Sequence, residues 1–227
     1  MSAFSNVAQK HAIVRTKLCL KAEEHILARG AYKHFKKDSG KLKVNVWLGA
    51  EEGIPLTISI IKCVGLTVAD FRLFTRRDVY PSNMKVLDPI LTCHPLNDVD
   101  LQTEDAYAMY QHIKTPAFVA NRCGFVAVHT VDSGGGTTEE KLITLSTSEG
   151  MQEVAESEFV RVGKDVLSNT KIAYSKVEGC EGGVLLTSVV CVDPAGSLPD
   201  FVKIQIAKQN SEGAERMVKH LMKSKGL

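Results

Sequence analysis

Between Leu42 and Val192 the chain is mostly a succession of short apolar runs separated by turn residues, and one long helical stretch follows them. The pattern is clearest in LKVNVWL (42–48), where Leu42, Val44, Val46 and Leu48 recur at every second position. A strand has a side-chain period of two, so these four share one face. AEEGIP (50–55) supplies a turn and LTISIIKCV (56–64) a second strand, which together predict a hairpin. TVADFRLFTRR (67–77) reads as a helix closed off before Pro81. Further strands are predicted at 85–91, 105–114, 124–131, 141–146, 158–162, 171–177 and 183–192. Such strands need a second layer to bury their apolar faces. Two helices are available for it, one at each end of the chain.

The first spans 7–29, where Val7, Val14, Leu18, Ala22 and Ile26 fall at helical spacing and Gly30 is placed to end it. The last starts near Ser197 and runs to about Lys223. Ser197 is a plausible N-cap, Pro199 suits the first turn, and Asp200 complements the positive end of the helix dipole. Phe201, Ile204, Ala207, Ala214, Val218 and Leu221 make one stripe, with Met217 and Met222 beside it. Gly213 interrupts this helix at a cost of about 1 kcal/mol relative to Ala. The order is helix, two strands, helical stretch, many antiparallel strands, long helix. It predicts an α+β fold in which a curved antiparallel sheet wraps around the C-terminal helix. No repeat, linker or low-complexity segment divides the chain, so 1–227 reads as a single domain.

Charge is ordinary in amount and uneven in place. The net charge is +2, which gives no case for a nucleic-acid partner. Residues 1–45 hold ten Lys/Arg against three Asp/Glu, residues 46–202 hold 12 against 21, and residues 203–227 hold six against two. Basic helical ends suit anionic lipid surfaces, and they equally suit solvated helix faces. Six cysteines at 19, 63, 93, 123, 180 and 191 form no C-x-x-C pair and no zinc spacing with histidine. They read as free thiols in a reducing, cytoplasmic compartment. No apolar run approaches the roughly 20 residues of a membrane span. Lys10, Arg15, Lys17 and Lys21 precede or adjoin the first acid, Glu23, so a mitochondrial presequence is an alternative to a folded amphipathic helix.

The sequence carries no H-E-x-x-H, no G-x-S-x-G and no strand-linked G-x-G-x-x-G. Nothing calls for a metal or a cofactor. DSGGGTTEE (132–140) lacks a following Gly-Lys-Ser/Thr and reads as a hairpin loop. More informative are polar residues inside apolar strands: Thr144 and Ser146, Arg161, Tyr174, and Thr187 and Ser188. A sheet with one wet face produces this pattern. So does an internal chamber in which a few polar groups fix the head of a ligand.

Three segments carry a family resemblance. HIKTPAFVANRCGFVAV (112–128) resembles the strand, Pro-containing loop and Asn-Arg signature of START domains, the steroidogenic-acute-regulatory-related lipid-transfer fold. VDPAGSLPDFVKIQIAKQ (192–209) resembles that family's strand ending in Asp-Pro-x-Gly, followed by the closing helix. STSEGMQEVAESEFVRV (146–162) is similar to its strand, loop and Arg-bearing strand. Cys123 stands where the family often has Asp, Phe201 where Trp is usual, and RRDVYPSN (76–83) replaces the usual Trp-Asp pair.

The resemblance implies a helix-grip fold enclosing a tunnel for one lipid, with the loop 115–122 and the last helix at its mouth. It implies a non-enzymatic, monomeric carrier that touches membranes transiently. Arg122 and Arg161 are then candidates for the lipid head, each with a structural salt bridge as the alternative. Phe118 and Val119 are candidates for membrane contact, and Lys203, Lys208, Arg216 and Lys219 for orienting the helix on an anionic surface. Tyr110, Thr144, Ser146, Tyr174, Thr187, Val189, Phe201, Ile204 and Met217 complete the expected lipid-binding set. Two other readings stay open. One is an enzyme on a related scaffold, with His112 or His129 near Asp105 or Glu158. The other is a binding module whose chamber is filled by Trp47, Phe125 and Tyr174.

Overall fold

The expected hairpin forms around a two-residue turn. Glu51 pairs with Ile54, and Glu52 and Gly53 both take positive φ, 51° and 79°. That backbone matches the right-handed twist of the flanking strands. The structure, a computed structural model, describes residues 3–38, 40–96, 106–115, 119–133, 140–151, 165–196 and 198–227. In chain order the elements are α1 (Ala3–Ala28), β1 (Lys33–Asp38), β2 (Leu42–Glu51), β3 (Ile54–Val64), α2 (Val68–Thr75) and α3 (Tyr80–Leu87). There follow β4 (Leu91–Leu96), β5 (Ala106–Ile113), β6 (Arg122–Asp132), β7 (Lys141–Thr147), β8 (Val166–Leu167), β9 (Asn169–Cys180), β10 (Gly183–Asp193) and α4 (Asp200–Ser224). One sheet holds the ten strands of the described residues in the order β1-β2-β3-β10-β9-β7-β6-β5-β4, with β8 added in parallel beside β6. Every other pairing is antiparallel.

Two elements depart from the sequence expectation. The segment predicted as a strand at 85–91 belongs largely to α3, and β4 starts only at Leu91. The helix expected at 67–77 does close before Pro81, at Thr75, and Pro81 itself sits in the first turn of α3, where a missing N–H removes no intrahelical bond. β1 has no counterpart among the expected strands. Its sequence KHFKKD is exposed along its whole length, so it carries no apolar alternation. Lysines on such an edge discourage pairing with another chain. The strand predicted at 158–162 and the N-cap predicted at Ser197 lie outside the described residues.

Period-two alternation divides the sheet into two faces with separate cores. On one, Leu42, Val44, Ile61, Leu142, Val177, Val184 and Leu186 pack with Phe71 and Phe74 of α2, Tyr80 of α3, and Ala214, Met217, Val218 and Leu221 of α4. On the other, Leu56, Ile58, Leu145, Ile172 and Val189 pack with Leu18 and Ala22 of α1. The sheet is thus gripped from both sides. The described cysteines are all free thiols, and Cys63, Cys93, Cys123 and Cys191 are buried in this packing.

Polar links fix α4 along its length. Thr57 donates its hydroxyl to the Ala207 carbonyl at 3.2 Å, and the Arg216 Nε donates to the Leu87 carbonyl at 2.7 Å. Lys37 reaches Glu215 at 2.7 Å, and Lys225 reaches Asp70 at 2.9 Å. Burial alone would raise the Asp70 carboxyl. Bonds from Lys225 and Thr67 outweigh it and hold the group below its ordinary value. Glu215 is likewise raised by burial and then held down by Lys219 and Lys37.

A carboxylate with a depressed folded pKa stabilises the fold above its unfolded pKa, and that contribution is lost as pH falls through the folded value. Acidification from about pH 5 to pH 2 therefore loosens the C-terminal end of α4. Hydrogen exchange at residues 215–225 is expected to accelerate across that range more in the wild type than in Asp70→Asn. A second prediction concerns Gly183, where a Cβ would lie 2.0 Å from the Cys63 carbonyl oxygen on the paired strand. The nearest atoms are all backbone of Cys63 and Val64, which leaves nothing flexible to yield. Gly183→Ala is expected to cost about 2 kcal/mol or more, read as a lowered urea midpoint at unchanged slope.

Candidate functional site

The face beneath α4 carries two kinds of side chain in ordered rows. Val44, Ile61, Leu186, Val177 and Leu142 are successive cross-strand neighbours and are apolar. Two residues further along each strand runs Val46, Ser59, Ser188, Ser175, Thr144 and Thr130. The next row holds Thr57, Val190, Ala173, Ser146 and Val128. Hydroxyls therefore interrupt an otherwise apolar surface in the middle of the sheet.

A cleft of about 960 Å³ opens onto this face. Its floor includes Cys93, Tyr107, Thr130 and Leu142, and its rim includes Arg72, Arg76, Arg77, Asp78 and Lys85 from α2, α3 and their connection. Much of the rim charge is neutralised internally. Arg72 bonds to Asp132 and Glu140, and Arg76 bonds to Asp78 at 2.6 Å. The cleft opens beside α2 and α3, near the β6–β7 connection, whereas the expected mouth at loop 115–122 lies at the opposite end of β6.

The expected lipid-binding residues divide between the two faces. Thr144, Ser146 and Met217 lie on the α4 side, buried with the cleft-side core. Tyr174, Thr187, Val189 and Tyr110 lie on the other side. The Tyr174 hydroxyl donates to Glu23 of α1 at 2.9 Å, and Val189 packs in the α1 core. Thr187 alternates with Leu186 on β10, and Tyr110 packs on Phe125 with ring centroids 5.3 Å apart. Parity decides each case, and nothing in the sequence signals which parity faces which helix. Trp47, Phe125 and Tyr174 are also on the side away from α4, so they do not fill the space beneath it. His112 and His129 share that far side by the alternation of β5 and β6, and His112 pairs with Asp165 at 3.0 Å. Asp105, Glu158, Arg161 and Phe118 lie outside the described residues.

Arg122 is only 6 % exposed and binds carbonyls, not a carboxylate. Its Nε donates to Pro194 at 2.9 Å, Nη2 to Ala195 at 3.4 Å and Nη1 to Ala120. Burial lowers its pKa below the usual guanidinium value. One fork thereby ties the loop before β6 to the turn that leads into α4. Ala195 has φ 54° in that turn, stabilised by its N–H donating to Asp193 at 2.9 Å. Nearby, Val119 is half-buried and accepts a bond from the Thr115 hydroxyl.

The first turn of α4 does not continue the buried stripe. Phe201 and Ile204 are 64 % and 66 % exposed, while Ala207, Ala214 and Leu221 are buried. Lys208 is exposed beside them. Arg216 is engaged by Leu87 and Glu212, and Lys219 by Glu215 at 2.6 Å; Lys203 is half-buried. Among the described residues no group of three His, Cys, Asp or Glu side chains is arranged to hold a metal ion. No helix among them is long and apolar enough to cross a membrane.

Removing the Arg122 fork leaves three backbone carbonyls without their donor. Arg122→Met is expected to cost about 2 kcal/mol and to speed amide exchange selectively at 119–122 and 194–196. Equal acceleration across β9 and β10 would contradict the assigned tie.

No protein-family model matches the sequence, and no curated protein matches it. Solved structures do. Human StAR-related lipid transfer protein 5 superposes with a TM-score of 0.68 at 12 % identity, covering 96 % of this chain and 99 % of its own. Human STARD10 gives 0.61 at 15 % identity, covering 85 % and 73 % respectively. A STAR-related lipid transfer protein from Xanthomonas axonopodis gives 0.60 at 18 % identity, covering 84 % and 98 %. The chain has the START helix-grip fold: a curved antiparallel sheet closed on a C-terminal helix, with an N-terminal helix on the other face.

Proposed function

We propose that this protein is a non-enzymatic lipid carrier that holds one lipid between the α4 side of its sheet and α4 itself. The observation that supports this most is the START fold itself; the cleft of about 960 Å³ beside α2 and α3, with Tyr107, Thr130 and Leu142 on its floor and a charged rim, is the proposed way in to that face. That volume lies within the range of small-molecule sites, roughly 300–1,000 Å³. Thr144, Ser146 and Met217 belong to the proposed site.

The physical case for a carrier is the cost of an acyl chain in water. At about 0.8 kcal/mol per methylene, a chain of about 16 carbons faces roughly 12 kcal/mol on leaving a bilayer unaided. An apolar face covered by a helix removes most of that penalty. The proposed placement of His112 and His129 outside the site argues for carriage over acid–base catalysis. The position of Trp47, Phe125 and Tyr174 away from α4 argues against a filled chamber.

Phe201 and Ile204 give the carrier a proposed membrane contact, with Val119 and Phe118 in the neighbouring loop. Two large apolar side chains more than half exposed on one helix turn, followed by Lys208, suit shallow insertion at a lipid surface. The rest of the chain is proposed to act as one cytoplasmic, monomeric domain over 1–227.

Native mass spectrometry of the purified protein, with extraction and identification of what it carries, tests the reading. One lipid per chain is expected, either as purified or after incubation with vesicles. A protein that stays bare through a broad lipid panel would end the carrier proposal. Phe201→Ser/Ile204→Ser is expected to lower both vesicle binding and transfer rate about ten-fold while the bound-lipid stoichiometry stays at one. Unchanged binding to vesicles would remove the contact surface.

Opening is proposed to involve the Arg122 tie, since Ala120 and Ala195 are held by one guanidinium. In a Cys180→Ser background, Ala120→Cys/Ala195→Cys joined by a short bismaleimide is expected to abolish exchange without lowering the melting temperature. Undiminished exchange by the linked form would place the entrance elsewhere, at the cleft beside α2 and α3.

A further inference from the structure

The outer side of α1 is apolar where a helix packed on a sheet ordinarily carries its charge. Leu18 and Ala22 are buried against the sheet, with Val14 and Ile26 packed beside them. On the side turned away from these, Ile13, Leu20 and Leu27 are 63 %, 62 % and 79 % exposed. The three are seven residues apart, so each step drifts by only about 20° around the helix and they form one stripe. Ala12, Thr16, Lys17, Glu24 and Ala28 are exposed along it. From Ala12 to Ala28 the stripe is about 25 Å long, and these eight residues include one cation and one anion.

Large apolar residues at seven-residue spacing suit the seam of a helix pair, and the order of residues along the stripe selects the partner. Reversal about Leu20 sets Ile13 against Leu27, Ala12 against Ala28 and Leu20 against itself. Lys17 and Glu24 are also seven apart and therefore share one flank of the stripe. A two-fold axis through Leu20 keeps that flank on one side. It brings Lys17 of each copy level with Glu24 of the other to within one residue, about 1.5 Å along the helix. A parallel pairing would set Lys17 against Lys17 and Glu24 against Glu24. The surface is thus complementary to itself in the antiparallel orientation, as a two-fold isologous interface requires. Lys17 bonds to Glu149 at 3.1 Å, with side chains 64 % and 43 % exposed; an ion pair this exposed is exchanged at little cost.

A lipid surface fits the stripe less well. Helices that lie on membranes flank their apolar side with Lys and Arg, whereas here Glu24 stands between Leu20 and Leu27.

We infer that a second copy of this chain covers the stripe, α1 against α1 in antiparallel order with Leu20 at the two-fold axis. The contact is about 25 Å long and one helix wide, which falls below the roughly 1,200 Å² of a stable specific interface. The dimer is weak and reversible, and the monomeric carrier proposed above is its dilute form. α1 and α4 cover opposite faces of the sheet, so this pairing leaves the α4 side of both copies uncovered.

Sedimentation velocity of the full chain from about 5 µM to about 500 µM tests the inference. The wild type is expected to pass from monomer to dimer across that range. Leu20→Glu sets two carboxylates face to face at the axis and is expected to weaken association about ten-fold or more, with the melting temperature unchanged. Lys17→Glu and Glu24→Lys are each expected to weaken it about five-fold. An equimolar mixture of these two variants is expected to dimerise at least as well as the wild type, because every altered charge then meets its opposite. A merely structural effect of either substitution would not be reversed by mixing.

A wild type that stays monomeric at the highest concentration would overturn the inference. So would a dimer that persists undiminished in Leu20→Glu. Failure of the mixture to recover association would overturn the antiparallel arrangement. Vesicle binding lost in Leu20→Glu, with no self-association in the wild type, would assign the stripe to a lipid surface instead.

Discussion

The clamp of α4 on one face of the sheet is the constraint from which the rest of the structure follows. It rests on burial of Ala207, Ala214, Met217, Val218 and Leu221. It is completed by polar ties from Thr57, Leu87, Lys37 and Asp70 at successive heights of the helix. Because α1 covers the opposite face, neither side of the central strands is left to water. Near-continuous apolar runs such as LTISIIKCV and GGVLLTSVV are what a doubly covered sheet requires. A sheet with helices on both sides has room for a ligand only where one helix stands off. The cleft beside α2 and α3 opens onto the α4 side of the sheet.

Charge and hydrogen bonding are separated within this frame. The charged groups nearest the cleft and the loop before β6 are largely matched by partners from the protein: Arg72 and Arg76 by carboxylates, Arg122 by three carbonyls, Arg216 by Leu87 and Glu212. These pairs hold segments together, while Arg77 and Lys85 also line the cleft. Hydroxyls such as those of Thr144 and Tyr107 lie further inward on the α4 side. A buried guanidinium engaged by carbonyls is a structural clamp of high directional precision, and Arg122 places that clamp where the chain turns from β10 into α4.

Much of the architecture is legible in the sequence, for physical reasons that also explain the misses. Leu42, Val44, Val46 and Leu48 announce β2 because alternation survives in a half-buried strand. The final helix is legible from its stripe, yet Phe201 and Ile204 belong to that stripe by spacing and not by burial. Helical periodicity reports which residues share a face, not where the covering sheet ends. β1 is silent in the sequence because an exposed edge strand has no apolar side to show. Pro81 is ambiguous because proline stops a helix from inside and starts one from the first turn. Site residues are the least legible. Thr144 and Thr187 look alike in sequence, and only the register, with α4 on one face and α1 on the other, separates them.

The most direct test of the central claim is to locate a bound lipid by photo-crosslinking with a diazirine at the end of an acyl chain. Adducts are expected on Leu142, Val128, Ala173 and Met217, on the α4 side. Adducts confined to Leu145, Ile172 and Val189, beneath α1, would show that the sheet holds its ligand on the other face and would contradict a lipid site beneath α4.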